Sequence, residues 1–188
     1  MDLQEIRALL EPEPALVERA LSCKTRFEGR IFSAETLDVS LPDGSVGYRE
    51  IVRHHGGAAV CAIRDGRICL VRQWRIALGR MTLEVPAGKL EAGEDPREAA
   101  ARELAEETGL VAGRLDLIAH TFGSPGFTDE STYVYRARDL SQGPARPDEG
   151  EFVQTVWLPV EAVLEAVRQG LVVDGKTILA TLDAALRG

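Results

Sequence analysis

Apolar and polar positions alternate through the early part of the chain with the two-residue period of half-buried β-strands. The alternation covers residues 27–31 and 37–41, and the turn sequence Pro-Asp-Gly follows at residues 42–44. This pattern predicts a small antiparallel sheet over about residues 24–52. A short helical stretch at residues 15–21 is predicted before it.

From Gly56 onward, short apolar runs are interspersed with patterns of helical period. Predicted strands cover residues 58–63, 68–74, 83–88, 115–122, 131–137 and 152–158. Predicted helices cover residues 96–108, 159–169 and 176–186. Strands mixed with helices that lie outside them predict the α/β class and a sandwich. We expect two domains, an N-terminal helix and small sheet at residues 1–55 and a larger domain at residues 56–188.

The helix at residues 96–108 has clear signals at both ends. Asp95 is a favourable N-cap residue, Pro96 suits the first helical position, and Glu98 has the spacing of a capping box. Gly109 is the residue type that most easily adopts the left-handed conformation at a helix end. We therefore expect this helix to begin after Asp95 and to end before Gly109.

The chain is acidic, and this narrows its partners. Its 188 residues contain 22 Lys and Arg against 30 Asp and Glu, which gives a formal net charge of −8. Binding to a nucleic-acid backbone or to anionic lipid needs a basic surface. We therefore expect neither nucleic acid nor membrane as a partner. An acidic protein that handles phosphates needs a metal cation or local arginines to offset its own field.

The cysteines and the start of the chain favour a reducing compartment. Cys23, Cys61 and Cys69 are odd in number and include no C-x-x-C pair, so we expect buried thiols rather than disulfides. The first residues lack the basic and apolar regions of a secretory signal. No apolar run has the length needed to span a bilayer. The sequence therefore predicts a cytoplasmic protein.

The same helix concentrates carboxylates on one side. Glu103, Glu106 and Glu107 are spaced i, i+3 and i+4, which places them within a sector of about 100°. Like charges at this spacing destabilise a helix, whereas a divalent cation beside them would be well liganded. A solvated acidic face is the alternative. Glu94 ahead of the helix favours the metal site, and Arg102 is expected to be a structural cation that ties the cluster together.

The segment from Gly88 to Leu110 resembles a known motif. It reads G-x5-E-x7-R-E-L-A-E-E-T-G-L, with Glu94 at the first glutamate and Arg102 at the arginine. This is similar to the Nudix box, G-x5-E-x7-R-E-U-x-E-E-x-G-U with U aliphatic, at every specified position. The resemblance implies an α/β/α sandwich with a mixed sheet, here preceded by the small antiparallel sheet. It also implies structural roles for Gly88, Glu94, Arg102 and Gly109.

Nudix proteins hydrolyse a nucleoside diphosphate linked to another group, and further positions here are similar to the ADP-ribose pyrophosphatase subgroup. Pro125 lies 16 residues after Gly109, and residues 73–75 and 83–88 match the same subgroup. The resemblance implies a homodimer that hydrolyses ADP-ribose to AMP and ribose 5-phosphate. In such a dimer, the small sheet of each partner contributes to the other's site. Two alternatives stay open: a pyrophosphatase of another nucleotide sugar, such as GDP-mannose, and a non-catalytic Nudix-like ligand sensor.

The resemblance also implies a metal site built from the acidic helix and the loop before it. Glu103 and Glu107 are the principal expected ligands, joined by Glu106 and by the backbone carbonyl of Ala87. The expected cofactor is Mg²⁺ or Mn²⁺, about two to three ions in each site, which bridge phosphate oxygens and lower the pKa of bound water.

The general base of this subgroup lies on a late loop, and Glu149 and Glu151 both match that place. We expect Glu151 to act as base or metal ligand and Glu149 to take the complementary role. The expected catalytic residues are therefore these two together with Glu103 and Glu107.

Substrate phosphates also need cations that are not metals, and the adenine needs a surface to stack on. Arg75 is similar in position to an arginine that grips the pyrophosphate, and Tyr48 is expected to stack on the adenine ring. The complete expected set of substrate-binding residues is Arg53, Tyr48, Arg75, Glu84, Gly88 and Pro125.

Overall fold

The computed structural model describes residues 2–146 and 150–187. The chain divides into two compact units. The first unit comprises Met1–His54 and Ser124–Asp129, and the second comprises His55–Gly123 and Glu130–Gly188. A short segment from the middle of the sequence therefore belongs with the N-terminal part.

The first unit contains a short helix and a three-stranded antiparallel sheet. Its elements are α1 (Leu3–Leu9), β1 (Arg19–Glu28), β2 (Phe32–Ser40) and β3 (Val46–His54). The strand order is β1-β2-β3, and both pairings are antiparallel, so the predicted small sheet is confirmed. The strand β1 is exposed along its whole length, whereas Val39 of β2 is buried.

The prediction of a helix at residues 15–21 is wrong. The helix of this region is α1, which is capped by Asp2 in a reciprocal pair of hydrogen bonds with Glu5. The chain from Arg19 onward is instead part of β1, where Arg19 pairs with Ser40 of β2. Pairing across the sheet therefore overrides a weak local helical pattern.

The second unit contains a seven-stranded mixed sheet. Its strands are β4 (Gly57–Arg64), β5 (Arg67–Arg75), β6 (Arg80–Glu84), β7 (Ala87–Lys89), β8 (Leu110–Phe122), β9 (Ser131–Gln142) and β10 (Gln154–Pro159). Its helices are α2 (Pro96–Thr108), α3 (Val160–Arg168) and α4 (Gly175–Arg187). The order is β10-β5-β4-β9-β8, with β6 paired to β5 and β7 to β4. Only β4 and β9 run parallel among the described strand pairs of this sheet, so the predicted mixed sheet is confirmed.

Helices cover both faces of the seven-stranded sheet. On one face, Val60 of β4 packs in a cluster with Leu104 of α2. On the other face, Cys61 packs in a cluster with Val163 of α3 and Ala180 of α4. Successive residues of β4 thus enter different cores, as the two-residue period of a strand requires, and the predicted α/β/α sandwich is confirmed. Of the helices within the described residues, none combines the length and apolar character needed to cross a bilayer.

Two of the three cysteines are buried, as the sequence predicts. Cys61 and Cys69 lie in the sheet core, where burial raises the pKa of each thiol to about 12. The same expectation is wrong for Cys23, which is exposed because it lies on β1. All three thiols are free of disulfides.

Candidate active site

The acidic helix α2 begins and ends where its sequence predicts, with Asp95 as the N-cap. The Asp95 carboxylate accepts hydrogen bonds from the Arg97 and Glu98 amides at 2.8 and 3.3 Å. Gly109 ends the helix with a φ of 71°. A Cβ atom at Gly109 would overlap the carbonyl oxygen of Gly143, so both conformation and space require glycine there. These ends fix the phase of α2 and therefore which carboxylates face the sheet.

Two of the three α2 carboxylates lie on the buried side of the helix. Glu103 is 9% exposed and Glu107 is 5% exposed, whereas Glu106 is half-buried. A solvated acidic face would expose all three, so that alternative does not describe this helix. Burying a carboxylate is costly unless hydrogen bonds or cations compensate it, so the partners of these groups indicate what stabilises them. We call Glu103, Glu106 and Glu107 the box carboxylates.

Glu107 is held against the start of β7. Its Oε2 atom accepts a hydrogen bond from the Ala87 amide at 3.0 Å. Burial raises the pKa of Glu107 to about 8, and the charges of Glu103 and Glu151 add to the rise. The Ala87 amide and the Arg75 guanidinium oppose this rise without cancelling it. The ionised carboxylate would therefore gain strongly from a further cation beside it.

Glu103 packs directly against the backbone of Gly88. A Cβ atom at Gly88 would overlap the Glu103 carboxylate, which occupies the space that any other residue would need for its side chain. This contact is the physical reason for glycine at the first position of the motif. Burial raises the pKa of Glu103, and a hydrogen bond from Arg102 at 2.8 Å opposes the rise.

Arg102 connects three carboxylates around the helix start and its middle. Its Nε and Nη2 atoms each donate to Glu94 at 3.0 Å, and Nη1 donates to Glu103 and Glu106 at 2.8 and 3.1 Å. These hydrogen bonds, that to Glu94 first, raise the pKa of Arg102. One guanidinium thus offsets part of the negative charge of the cluster and anchors the loop that precedes α2.

The last turn of α2 is bonded to both flanks of the segment that carries Glu151. The Arg146 amide donates to the carbonyl oxygen of Glu106 at 2.8 Å, and Thr155 Oγ1 donates to that of Glu107 at 3.2 Å. Carbonyl groups at a helix end lack partners within the helix, so these flanks cap them. Glu151 lies near enough for its charge to raise the pKa of Glu107. Thr155 was missed by sequence reasoning because a threonine in a strand carries no signal of its own.

Arg75 and Glu84 form the centre of a second charged cluster. Arg75 Nε and Nη2 donate to the two carboxylate oxygens of Glu84, both at 2.7 Å. Lys176 Nζ donates to the same carboxylate at 2.6 Å and Thr82 Oγ1 at 2.7 Å. Lys176 also donates to Asp174 at 2.7 Å. We call Arg75, Thr82, Glu84, Asp174 and Lys176 the paired cluster.

Counter-charges dominate the electrostatics of the paired cluster. Glu84 is 3% exposed, and its burial alone would raise its pKa. The ion pairs with Arg75 and Lys176 outweigh burial and lower the pKa of Glu84 to about 2. The Arg75 side chain is 43% exposed, so its guanidinium is accessible to a ligand. Sequence reasoning missed Lys176 because its partner Glu84 is 92 residues away; the one local signal was the capping aspartate Asp174.

The other predicted residues lie in the first unit or outside the described residues. Arg53 donates to Asp129 at 3.1 Å, which attaches the segment Ser124–Asp129 to β3. Pro125 lies in that segment, and Tyr48 is 54% exposed on β3. Glu149, the second candidate base, lies outside the described residues.

The box carboxylates fit a divalent cation by their chemistry. Among residues 2–146 and 150–187, no three His, Cys, Asp or Glu side chains converge as a finished metal site. Glu103 and Glu106 share the Arg102 guanidinium, and Glu107 faces the Ala87 amide. Their oxygen atoms are nevertheless the donors that Mg²⁺ and Mn²⁺ prefer, and their mutual repulsion is what such an ion relieves.

The sandwich fold and the acidic helix define a class of protein that comparison with known families identifies. The NUDIX domain model matches residues 53–181, so the chain belongs to the Nudix family. Nudix hydrolases generally use divalent metal ions, which agrees with the donor chemistry of the box carboxylates.

Relatives of known name resemble most of the chain. An ADP-ribose pyrophosphatase of Bacillus subtilis (strain 168) is 41% identical over 169 residues, 88% of this chain and 91% of that protein. A methanol dehydrogenase activator of Bacillus methanolicus is 40% identical over 166 residues, 87% of this chain and 90% of that protein. A crystal structure described as an ADP compounds hydrolase superposes with a TM-score of 0.78, covering 91% of this chain and 95% of that one. At 22% identity it shows that the fold is shared.

Proposed function

We propose that this Nudix hydrolase cleaves ADP-ribose to AMP and ribose 5-phosphate. The observation that carries the proposal is the pair of buried carboxylates Glu103 and Glu107, within electrostatic range of the accessible Arg75 guanidinium. A site that combines acidic metal donors with an arginine suits a pyrophosphate. The relative named ADP-ribose pyrophosphatase supports ADP-ribose as the substrate, because it is 41% identical over 88% of this chain.

The proposed cofactor is Mg²⁺ or Mn²⁺, about two to three ions held by the box carboxylates, Glu151 and the Ala87 carbonyl. When bound, these ions would neutralise pyrophosphate charge and lower the pKa of a water molecule. The chain supplies rigidity for this role. Glu107 is fixed by the Ala87 amide, and Glu103 is fixed by its packing on the Gly88 backbone.

The proposed reaction adds water across one phosphorus–oxygen bond. The water oxygen attacks one phosphorus atom, and the bridging oxygen leaves with the other phosphorus. At neutral pH two protons are released, because AMP and ribose 5-phosphate both carry phosphate monoester dianions. Arg75 is proposed to bind a non-bridging phosphate oxygen, because its guanidinium stays charged at neutral pH. Glu84, whose pKa is about 2, stays ionised under the same conditions and orients Arg75.

We propose Glu151 as the base that accepts the proton of the attacking water, with Glu149 in the complementary role. The support is that the Glu151 charge acts on both Glu103 and Glu107, so it lies by the same site. Loss of a general base costs roughly 10²–10⁴-fold in rate. Comparing kcat of Glu151→Gln and Glu149→Gln assigns the role, and a larger loss in Glu149→Gln would reverse the assignment.

We further propose a homodimer that acts in the cytoplasm, with Arg53, Tyr48 and Pro125 contributing to substrate binding. Exposed aromatic residues on the small sheet support a partner surface, because Phe27 and Phe32 are 51% and 41% exposed. Free thiols support a reducing compartment. Sedimentation of the active enzyme tests the dimer, and full activity in a monomer would contradict it.

The proposed substrate is tested with a panel of nucleotide sugars. Purified protein with Mg²⁺ or Mn²⁺ is incubated with ADP-ribose and with GDP-mannose, and the products are separated by anion exchange. We expect the higher kcat/KM with ADP-ribose, and AMP and ribose 5-phosphate in equal amounts. Preference for GDP-mannose would keep the hydrolase and change its substrate.

The same assay separates an enzyme from a ligand sensor. A sensor would bind ADP-ribose in calorimetry and release no AMP at any metal concentration.

Glu98→Gln serves as the matched control for variants of the box carboxylates, since Glu98 is an exposed glutamate on the same helix. Its activity should equal that of the unmodified protein.

A further inference from the structure

The start of α4 is bonded to the connection between β6 and β7. Thr177 is fully buried, and its Oγ1 atom accepts a hydrogen bond from the Val85 amide at 2.8 Å. The same hydroxyl donates to Asp174 Oδ2 at 2.5 Å, and Asp174 Oδ2 also accepts from the Thr177 amide at 3.0 Å. Asp174 thus caps the helix while Thr177 fixes the neighbouring strand connection.

Lys176 extends this attachment to the charged groups. Its ammonium lies between Glu84 Oε2 at 2.6 Å and Asp174 Oδ1 at 2.7 Å, and its side chain is 17% exposed. Glu84 in turn holds Arg75 through two hydrogen bonds of 2.7 Å. The charges alternate in sign from Arg75 through Glu84 and Lys176 to Asp174. A continuous chain of ion pairs therefore runs from the capped start of α4 to the accessible guanidinium.

We propose that Lys176 is a positioning residue that orients the Arg75 guanidinium through Glu84, so that Arg75 meets the substrate pyrophosphate in one fixed geometry. This inference rests on the proposed function, in which Arg75 binds the pyrophosphate. Lys176 itself touches Glu84 and Asp174 and is not a catalytic residue.

The geometry of the guanidinium supports this role. Arg75 uses Nε and Nη2 on Glu84, and Nη1 has no acceptor among the residues that the structure describes. Two parallel hydrogen bonds to one carboxylate fix a guanidinium plane. The plane is then as well defined as the carboxylate that holds it, and Lys176 and Thr82 hold that carboxylate. Arg75 thus has its Nε and Nη2 atoms committed to Glu84, and its Nη1 group is left to donate to a phosphate.

Lys176 also weakens the competition between the Glu84 carboxylate and a substrate phosphate for Arg75. Without its ammonium, the buried Glu84 carboxylate would have Arg75 as its one cationic partner within the paired cluster. An anion with an unmatched charge draws its remaining cation closer and competes with a phosphate for it. Lys176 matches that charge and so leaves Arg75 better able to bind a substrate.

Steady-state kinetics of Lys176→Met tests the inference. The variant keeps the aliphatic stem and removes the ammonium. We expect KM to rise about tenfold or more, with a smaller change in kcat. The size is set by analogy with the hydrogen-bond partners that orient metal ligands, whose loss typically lowers affinity or activity roughly 10–100-fold. Lys176→Arg should restore most of the loss, since it returns a cation to Glu84. Arg187→Met is the matched control: it removes an exposed cation of the same helix, 2.9 Å from Asp183, and should leave KM unchanged.

A double-mutant cycle shows whether Lys176 acts through Arg75. In an Arg75→Ala background, Lys176→Met should raise KM by less than about twofold, because the group that it positions is already gone. An equal rise in both backgrounds would overturn the inference. Lys176→Gln repeats the cycle with a polar, uncharged side chain should the methionine variant fold poorly.

A spectroscopic measurement reports on Arg75 without any turnover. The Arg75 Nε–H group donates to a buried carboxylate, so its proton should exchange slowly with water. Its signal in a ¹H–¹⁵N correlation NMR spectrum is identified by its absence in Arg75→Lys. We expect this signal to broaden or exchange rapidly in Lys176→Met and to persist in Arg187→Met. A signal unchanged in Lys176→Met would overturn the positioning role. Failure of the unmodified protein to cleave ADP-ribose would contradict the proposed function alone, and this measurement would still decide the role of Lys176.

Discussion

Glu84 and Glu107 are two glutamates of the same unit with almost equal burial, 3% and 5% exposed, and opposite electrostatics. The pKa of Glu84 falls to about 2, whereas that of Glu107 rises to about 8. Burial raises the pKa of both, so the difference comes from their neighbours. Glu84 contacts the cations Arg75 and Lys176, while Glu107 faces an amide and two repelling carboxylates.

The comparison distinguishes carboxylates whose charge is balanced by side chains of the protein from carboxylates whose charge a bound cation would balance. In the paired cluster, every carboxylate has a cation supplied by the protein, so these carboxylates are suited to hold neighbouring side chains in place. Among the box carboxylates, Glu103 and Glu106 share the Arg102 guanidinium, and Glu107 accepts from a backbone amide. They therefore keep unfavourable charge that a divalent ion would relieve. The degree of charge compensation, more than burial, therefore distinguishes a carboxylate that supports a neighbouring side chain from one that is suited to bind a cation.

The largest expected effect is the loss of catalysis when one of the box carboxylates is replaced. Glu107→Gln should lower kcat/KM for ADP-ribose by about a thousandfold or more, because it removes several kcal/mol of metal-based stabilisation. The melting temperature of the metal-free variant at pH 8 should equal or exceed that of the unmodified protein, since a source of repulsion is gone. Activity is measured by AMP release and stability by calorimetry. Undiminished activity would place the reaction elsewhere on the molecule.

The same substitution in the paired cluster should act on stability. Glu84→Gln leaves Lys176 and Arg75 without their shared anion, and removing one partner of a buried ion pair typically costs about 3–5 kcal/mol. Because Arg75 is 43% exposed and water can solvate it, we expect the lower end, about 3 kcal/mol in urea unfolding at pH 7. Glu98→Gln is the exposed control and should change stability little. Equal stability losses in Glu84→Gln and Glu107→Gln would erase the distinction between the two sites.

Much of the fold could be predicted from the sequence, because its signals are local. Asp95 and Gly109 mark the ends of α2 by capping chemistry. Alternation predicts strands of the small sheet, and short apolar runs predict strands of the larger one. The helix expected at residues 15–21 failed because pairing with β2 decides that region. The membership of Ser124–Asp129 in the first unit is likewise set by bonds to β3 that no local pattern reveals.

The candidate site was predictable only where its residues are close in sequence. Glu103, Glu106 and Glu107 share a helix, so their spacing alone is enough to bring them together on one side. Lys176 joins Glu84 across 92 residues, and this contact depends on how α4 packs beside β6. The sequence also cannot distinguish Glu84 from Glu107, because their opposite pKa values arise from side chains brought together by folding.

In the metal-free protein, the raised pKa of Glu107 should make the free energy of unfolding depend on pH. The folded pKa of Glu107 is about 8, above its ordinary value of 4.5, so between these values the native state binds a proton that the unfolded state releases. Stability from this group is full below the lower value and is lost as pH rises toward the folded pKa. Between pH 6 and 8 the loss should be about 2 kcal/mol. Glu107→Gln should remove this slope, and an equally steep slope in the variant would assign it to another group.

Glu84 should behave in the opposite sense, which gives the control for that measurement. Its folded pKa of about 2 lies below the ordinary 4.5, so its contribution is complete above the ordinary value and is lost as pH falls toward 2. Between pH 6 and 8 it should add no slope. Glu84→Gln should therefore be less stable than the unmodified protein by the same amount at both pH values.

The smallest expected effect is stabilisation by the metal alone. With a dissociation constant of about 1 mM, roughly 10 mM Mg²⁺ should add about 1.4 kcal/mol to the free energy of unfolding. The gain should be larger at pH 8 than at pH 6, because protons compete with the ion for Glu107 at the lower pH. Calorimetry with Mg²⁺ and then EDTA measures it, with Glu84→Gln as the control that retains the gain. If Glu107→Gln gains as much as the unmodified protein, the ion binds outside the box carboxylates, and charge compensation would no longer tell the two sites apart.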